Sequence, residues 1–446
     1  MIMSAFRGGY HPTGERVSMF GKSTRATRHR FGSRTALAIA LTAGGVLTSA
    51  ALATPAYAQK KETAKVESNS KGFAAAYDPF STIVNSPSGD HAAAKAMIPS
   101  VRAAIENDVD KFTMGNALIA LGGKLKDTEV QKQGLLLALE SGRVSPAEVG
   151  LFNYYLGRFA YEAGNYPEAR QRYQASLAAG YAEGEPDVLI AETYFKNNEN
   201  AEGLRYLSSL IEKRRAAGEQ IPEAWYKRGQ AIAFGAKMAA EAADYSQKLI
   251  NAYNTPENWK RAFEVMQSTP VDDQATLDVL RLMRVTGALD QRQQYVNYVE
   301  MATRAGLPGE VLAVLAEGTS KGAFNAGDQL YGEQKAMAES SAAEDRVDSA
   351  KLMAEARASS TGVTANGAGD LFFSLGNYAD AVAMYQLAVE KGSRDRELTL
   401  TRLGIAQVLS GQYDAGKATL AQVAGPRASV ARLWTAYAQS KTAAGG

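Results

Sequence analysis

From about residue 90 onward, apolar positions recur three and four residues apart rather than alternately. Segments of about 12–15 residues with this period are separated by Gly or Asn, and the spacing places apolar side chains on one face of an α-helix. No stretch alternates apolar and polar residues for long enough to predict a strand. Prolines fall at segment edges, at Pro146, Pro186, Pro222, Pro256, Pro270, Pro308 and Pro426, where helices are more readily begun than continued. Short helices joined by tight turns bury little surface alone. The pattern therefore predicts an all-α chain whose neighbouring helices stack.

The segments repeat. The first clear unit reads Leu156-Gly157, Tyr161, Gly164-Asn165-Tyr166, Glu168-Ala169, Tyr173 and Leu177. Gly157 and Ala169 leave room for two helices to approach, Gly164 ends the first and Pro167 opens the second. Tyr173 and Leu177 then close the second helix onto the first. Ala191 and Leu207 take the places of Gly157 and Tyr173 in the next unit, at a step of about 34 residues that suits a stacked repeat. Tyr194, Asn198 and Leu210-Ile211 accompany them. A third unit carries Trp225, Gly229, Ile232, Ala242, Tyr245 and Leu249, its step lengthened by the loop 214–220. Near the C-terminus, Gly376-Asn377-Tyr378, Asp380-Ala381, Tyr385 and Ala388-Val389 are followed at nearly the original step by Leu403-Gly404, Gly411-Gln412-Tyr413 and Leu420. Trp434 stands where a further unit would begin, leaving one helix, about 428–442, to cover the last apolar face.

These units resemble the tetratricopeptide repeat (TPR) family, whose pattern is an aromatic, Leu-Gly, Tyr, Gly-(Asp/Asn)-Tyr, Glu-Ala, a second aromatic and a final Pro. Residues 150–183 carry most of it and 362–430 nearly as much. Residues 184–255 match loosely, with Gly203 in place of the crossing Ala and Asn198 in place of the turn Gly. The resemblance implies a right-handed α-α superhelix, a TPR-like solenoid in which the first helix of each pair lines a concave groove. Its central hairpins would be degenerate and its C-terminal helix a cap. On this reading the chain divides into a signal peptide (1–58), a flexible linker (59–89), an N-terminal helical segment (90–148, with helices over 91–106, 111–121 and 128–140), a TPR-like block (149–256), degenerate hairpins (257–360) and C-terminal repeats with their capping helix (361–446). Within the degenerate block, 326–359 reads as two exposed helices low in aromatics.

The N-terminus reads as a targeting signal. Residues 1–34 hold seven Lys/Arg against the single acid Glu15, an apolar run follows over 36–53, and Ala56-Tyr57-Ala58 supplies a small-residue cleavage site. Basic region, apolar core and A-x-A site together read as a secretory signal peptide cleaved after Ala58, the alternative being an uncleaved membrane anchor over 36–53. The expectation is an exported, periplasmic protein without a transmembrane span after cleavage. Removing 1–58 takes Lys+Arg from 49 to 42 and Asp+Glu from 47 to 46, so the net charge changes from +2 to −4. A mildly acidic chain without basic runs offers no footprint for nucleic acid.

Composition narrows the chemistry. With 46% hydrophobic and 22% charged residues the chain is globular. It contains no Cys, and its histidines are His11, His29 and His91. Thiol nucleophiles, disulfides and most metal and histidine catalysis are therefore excluded. Gly21-Lys22-Ser23-Thr24 resembles the end of a phosphate-binding loop, but Arg16 stands where that motif needs Gly. No cofactor, metal or catalytic set is called for. Carboxylates remain, so the rival reading is an envelope hydrolase acting on cell-wall glycan through two acids, its site placed between 257 and 360.

On the TPR-like reading, function would lie in the groove. Helical periodicity points Tyr154, Arg158 and Tyr161 inward from the first unit, Glu192 and Lys196 from the second, and Tyr226, Lys227 and Gln230 from the third. Tyrosine rings, cations and amides together suit an extended peptide or a partner helix. Some family members hold a peptide's C-terminal carboxylate with Lys, Asn and Arg. The matching positions here carry Tyr154, Arg158, Val188 and Glu192, so that use is not implied. The expected function is a non-catalytic scaffold for protein–protein interaction and assembly.

Overall fold

Apolar residues at helical spacing form helices throughout. The computed structural model describes residues 67–267, 272–325 and 327–444. Every regular element among them is helical, so the chain is an all-α solenoid of stacked hairpins. The segment read as a signal peptide, with its cleavage site at Ala58, lies outside the described residues. The chain divides into two compact units, over described residues 67–217 and 218–444.

The first unit runs through α1 (Lys71–Asn85), α2 (His91–Ala103), α3 (Asp108–Leu125), α4 (Thr128–Glu140), α5 (Pro146–Glu162), α6 (Tyr166–Ala178), α7 (Pro186–Lys196) and α8 (Asn200–Ala216), and successive helices pack on one another. The stretch read as a flexible linker, 59–89, thus contains a helix. Phe73, Phe80 and Val84 bury one face of α1, a stripe that the polar residues before it obscured. Asp110 anchors the entry to α1. Its buried carboxylate accepts from the Ser70 amide (2.9 Å), the Ser70 hydroxyl (2.8 Å) and the Glu106 amide (3.0 Å). Start signals act as the sequence suggests. Ser145 and Glu148 form a capping box ahead of α5, with Pro146 in its first turn. Gly164, at φ +78°, turns the chain from α5 into α6.

Helix crossings are set by glycines. A Cβ on Gly157 would stand 2.7 Å from Cδ1 of Tyr173. On Gly229 it would meet Tyr245 at 2.2 Å, on Gly369 Tyr385 at 2.5 Å, and on Gly404 Leu420 at 2.6 Å. In every pair the partner follows its glycine at the same offset along the chain, so one contact recurs from hairpin to hairpin and defines their register. The N-terminal helices cross as closely, with backbone in place of a ring. On Gly115 a Cβ would come 2.7 Å from the Ala138 amide nitrogen, and on Gly134 it would come 2.6 Å from that of Ile119.

The second unit comprises α9 (Glu223–Gly235), α10 (Ala239–Ala252), α11 (Pro256–Gln267), α12 (Asp273–Val285), α13 (Arg292–Arg304), α14 (Pro308–Ser320), α15 (Gln329–Ala358), α16 (Gly362–Ser374), α17 (Tyr378–Glu390), α18 (Arg396–Leu409), α19 (Tyr413–Leu420), a 3-10 turn (Gly425–Arg427) and α20 (Ala428–Ala444). The pairs α9/α10, α13/α14, α16/α17 and α18/α19 are hairpins. One expectation changes: residues 326–359, read as two exposed helices, contain one 30-residue helix, α15. In α12, Ala275 and every residue from Leu277 to Met283 are buried. A helix buried on all sides needs neighbours around its whole circumference, and α20 is one of them.

Candidate functional site

Tyrosines concentrate on the first unit. Tyr154 on α5 is half-buried, its ring 5.6 Å from Tyr155, 6.0 Å from Tyr173 and 5.3 Å from Tyr181. Tyr161, one face on the core, meets the Tyr166 ring at 5.4 Å. Arg158 is exposed between them and pairs with Glu162 at 3.3 Å. On the next hairpin Tyr194 stacks beneath the Arg170 guanidinium, 3.5 Å from its ring centroid, and lies 6.0 Å from Tyr206. Burial raises the Tyr154 hydroxyl's pKa, Arg158 partly opposing it, and raises that of Tyr181 to about 12. Like any tyrosine hydroxyl, these are protonated at neutral pH and able to donate a hydrogen bond. A band of half-exposed, amphipathic rings interrupted by a cation is the composition of protein-contact surfaces.

The eight residues read as groove-lining fare differently. Tyr154, Arg158, Tyr161 and the exposed Lys196 remain at least partly accessible. Glu192 is buried at 5% exposure. Tyr226, Lys227 and Gln230 belong to the second unit. There Tyr226 is buried against Tyr253, Gln230 is buried and donates to the Ser246 hydroxyl at 2.8 Å, and Lys227 pairs with Glu223 at 3.1 Å. Tyr155, Tyr181, Tyr206 and Arg170 join the aromatic band without having been singled out. Tyr181 follows the end of α6 and Arg170 projects from a second helix, so a rule that reads first helices alone passes over both.

Two acids do face each other within 257–360, but a guanidinium lies between them. Arg281 donates from Nη1 to Asp278 Oδ1 at 2.7 Å, and from Nε and Nη2 to the Glu310 carboxylate at 2.8 and 2.7 Å. The Tyr298 hydroxyl donates to Glu310 at 2.6 Å. Burial alone would raise the Glu310 carboxyl's pKa. The charge and hydrogen bonds of Arg281, with the Tyr298 hydroxyl, outweigh that and hold it below the usual value. A glycosidase acid needs the opposite shift. The cavity beside Glu310, bounded also by Arg284, Ser374 and Tyr378, is about 160 Å³, below the usual range for ligand pockets.

Besides its chain neighbours α11 and α13, helix α12 is held by residues of α16, α18 and the C-terminal segment. On α16, the Phe373 ring lies 4.4 Å from the Arg281 guanidinium. On α18, Arg402 hydrogen-bonds Gln274 and donates to Asp370 at 2.5 Å, where the Tyr385 hydroxyl also donates at 2.7 Å. In the 3-10 turn before α20, Arg427 reaches Asp278 at 3.2 Å and Asp272 at 3.0 Å, and on α20 Trp434 donates its indole N–H to the Asp278 carbonyl at 3.0 Å. Trp259 on α11 meets Tyr437 edge-on at 6.3 Å. The C-terminal helix is thus more than a cap on the last hairpin: it ties α10, α11 and α12 to α18 and α19.

No family model matches the chain, and no curated protein matches it. Among solved structures it is similar to the TPR2AB-domain–pHSP90 complex of yeast Sti1, at 12% identity over 66% of this chain and 99% of that one, with a TM-score of 0.24. It is also similar to Naa15/Naa10 bound to HypK-THB, at 11% identity over 77% of this chain and 63% of that one, with a TM-score of 0.26. A third is the TPR domain of P58(IPK), at 10% identity over 83% of this chain and 90% of that one, with a TM-score of 0.21. The fold assignment rests on the hairpins and their repeated crossings rather than on these superpositions. Among the described residues no group of three or more His, Cys, Asp or Glu could hold a metal, and no helix is long and apolar enough to cross a membrane.

Proposed function

We propose that the chain is a non-catalytic interaction scaffold, exported by its N-terminal signal, that takes an extended peptide or partner segment along the tyrosine band of 146–206. One observation carries this reading: Tyr154, Tyr155, Tyr161, Tyr181, Tyr194 and Tyr206 are all half-buried on one unit, with exposed Arg158 among them. Such rings offer contact area at little cost in side-chain entropy. Arg158 and Lys196 favour a segment that brings a carboxylate. The buried and neutralised acids of the second unit give the hydrolase reading no comparable support.

The test is capture from envelope extracts with the exported protein, using photo-crosslinking residues placed at Tyr154 and Tyr161. A partner should crosslink there, and Tyr154→Ala with Arg158→Ala should weaken it at least tenfold with helicity unchanged. Turnover of cell-wall glycan by the purified protein would overturn the proposal. Export is tested separately by intact mass: a chain beginning at Gln59 supports the signal reading, and full-length mass in the envelope refutes cleavage.

A further inference from the structure

Short side chains leave a gap among three helices of the second unit. Along α10, Ala239, Ala243 and Ser246 recur three or four residues apart, so one face of that helix is built of small residues. Ala262 of α11 and Ala428 of α20 share the lining, and the cavity among the three helices measures about 610 Å³. That volume lies within the usual range for small-molecule sites. Val265, Met266 and Leu433 give it an apolar wall. Contacts outside the lining hold α20 in place: the Trp434 indole donates to the Asp278 carbonyl, and Tyr437 packs edge-on against Trp259 of α11. The space is therefore formed in advance, which lowers the cost of binding.

The charged residues of the lining are Asp244 and Arg432. Asp244 is already paired with Lys248 at 2.9 Å. Arg432 is exposed and has no carboxylate partner among the described residues. An apolar space bordered by one uncompensated guanidinium matches an aliphatic body that ends in one negative charge. A carboxylate meets the guanidinium fork through two parallel hydrogen bonds. A dianionic phosphate would bring a second charge that nothing balances, beside the acid Asp244. We propose that this cavity binds an amphipathic monocarboxylic acid, with a tail of about ten carbons against the apolar wall and its carboxylate on Arg432. The site lies wholly in the second unit and shares no residue with the tyrosine band, so its success or failure is separate from that of the proposal above.

The test uses the full chain and three probes with the same decyl chain: decanoate, decanol and decyltrimethylammonium, titrated at neutral pH in a calorimeter. Decanoate should bind with a Kd of about 10–100 µM, and the other two at least about fivefold more weakly. Arg432→Glu should weaken decanoate by at least about fivefold while decyltrimethylammonium binds no worse than before. Ala243→Phe should weaken all three probes by at least about tenfold, because its ring occupies the space. Neither Ala243 nor Arg432 is buried, so helicity should be unchanged in both variants. A diazirine-bearing decanoate should crosslink within 239–247, 262–266 or 428–433. Should a variant fail to fold, the three-probe comparison and the crosslinks on the unaltered chain decide. Absence of saturable decanoate binding up to about 1 mM, equal affinity for the three probes, decanoate affinity untouched by Arg432→Glu, or crosslinks confined to other segments overturns the proposal.

Discussion

Gly157→Ala probes the register of the first hairpin with one methyl group. The new Cβ would stand 2.7 Å from Cδ1 and Cε1 of Tyr173 and 3.2 Å from Cζ. The ring cannot swing into solvent to make room. It is 1% exposed, packed with Ala160, Ala169, Leu189 and Ile190, and it has Tyr154 at 6.0 Å. Overpacking of this kind costs about 1–3 kcal/mol. Against it, Ala gains about 1 kcal/mol over Gly inside a helix. The expected net destabilisation is about 0–2 kcal/mol for Ala, and it moves toward the upper end of the overpacking range for Gly157→Leu. A decisive form of the assay is a double-mutant cycle with Tyr173→Leu, because Leu420 already faces Gly404 at the equivalent crossing. The penalty of Gly157→Ala should shrink by about 0.5 kcal/mol or more in that background, since the two residues touch. Amide exchange confined to α5 and α6 reads the local free energy without assuming that both units melt together. Equal penalties with and without the Tyr173 ring would refute the crossing, and stability unchanged by Gly157→Leu would refute the hairpin register altogether.

Other outcomes follow from particular contacts. Deleting residues 427–446 removes Arg427, Trp434 and Tyr437, so α10–α12 as well as α19 should lose exchange protection and the product should aggregate; protection lost at α19 alone would show that α20 is only a terminal cover. Asp110→Ala strands the Ser70 and Glu106 amides and should cost about 1–3 kcal/mol at neutral pH. Burial raises the Asp110 carboxyl's pKa, but the hydrogen bonds from Glu106, Ser70 and Asn107 lower it more, to below the ordinary value. Its contribution is therefore complete above the ordinary carboxylate range and is lost as pH falls through the lowered value, so the gap between Asp110→Ala and the unaltered protein should close in acid melts. Lys126 caps α3 at φ +55°, a conformation that costs an L-residue about 1–2 kcal/mol. Lys126→Gly should raise the stability of the first unit by up to about 1 kcal/mol in thermal melts, and a lower melting point would contradict this.

What the sequence by itself determined is what neighbours in the chain decide. Helical periodicity, proline starts such as Pro146 and glycine stops such as Gly164 placed the hairpins, and the spacing from Gly157 to Tyr173 placed their crossings. These interactions close within a single hairpin, so their pattern is written where they act. Helix α1 escaped because Phe73, Phe80 and Val84 follow a polar stretch and Pro79 sits within the helix. Of the candidate surface, Tyr154, Arg158 and Tyr161 could be read from their face of α5. The burial of Tyr226 and Gln230 could not, since it depends on which helix lies opposite. Tertiary structure alone decided the fate of α12 and α20. No local pattern ties Asp278 to Arg427 or Trp434, because those contacts exist only once the hairpins between them have stacked and brought α20 back to α12.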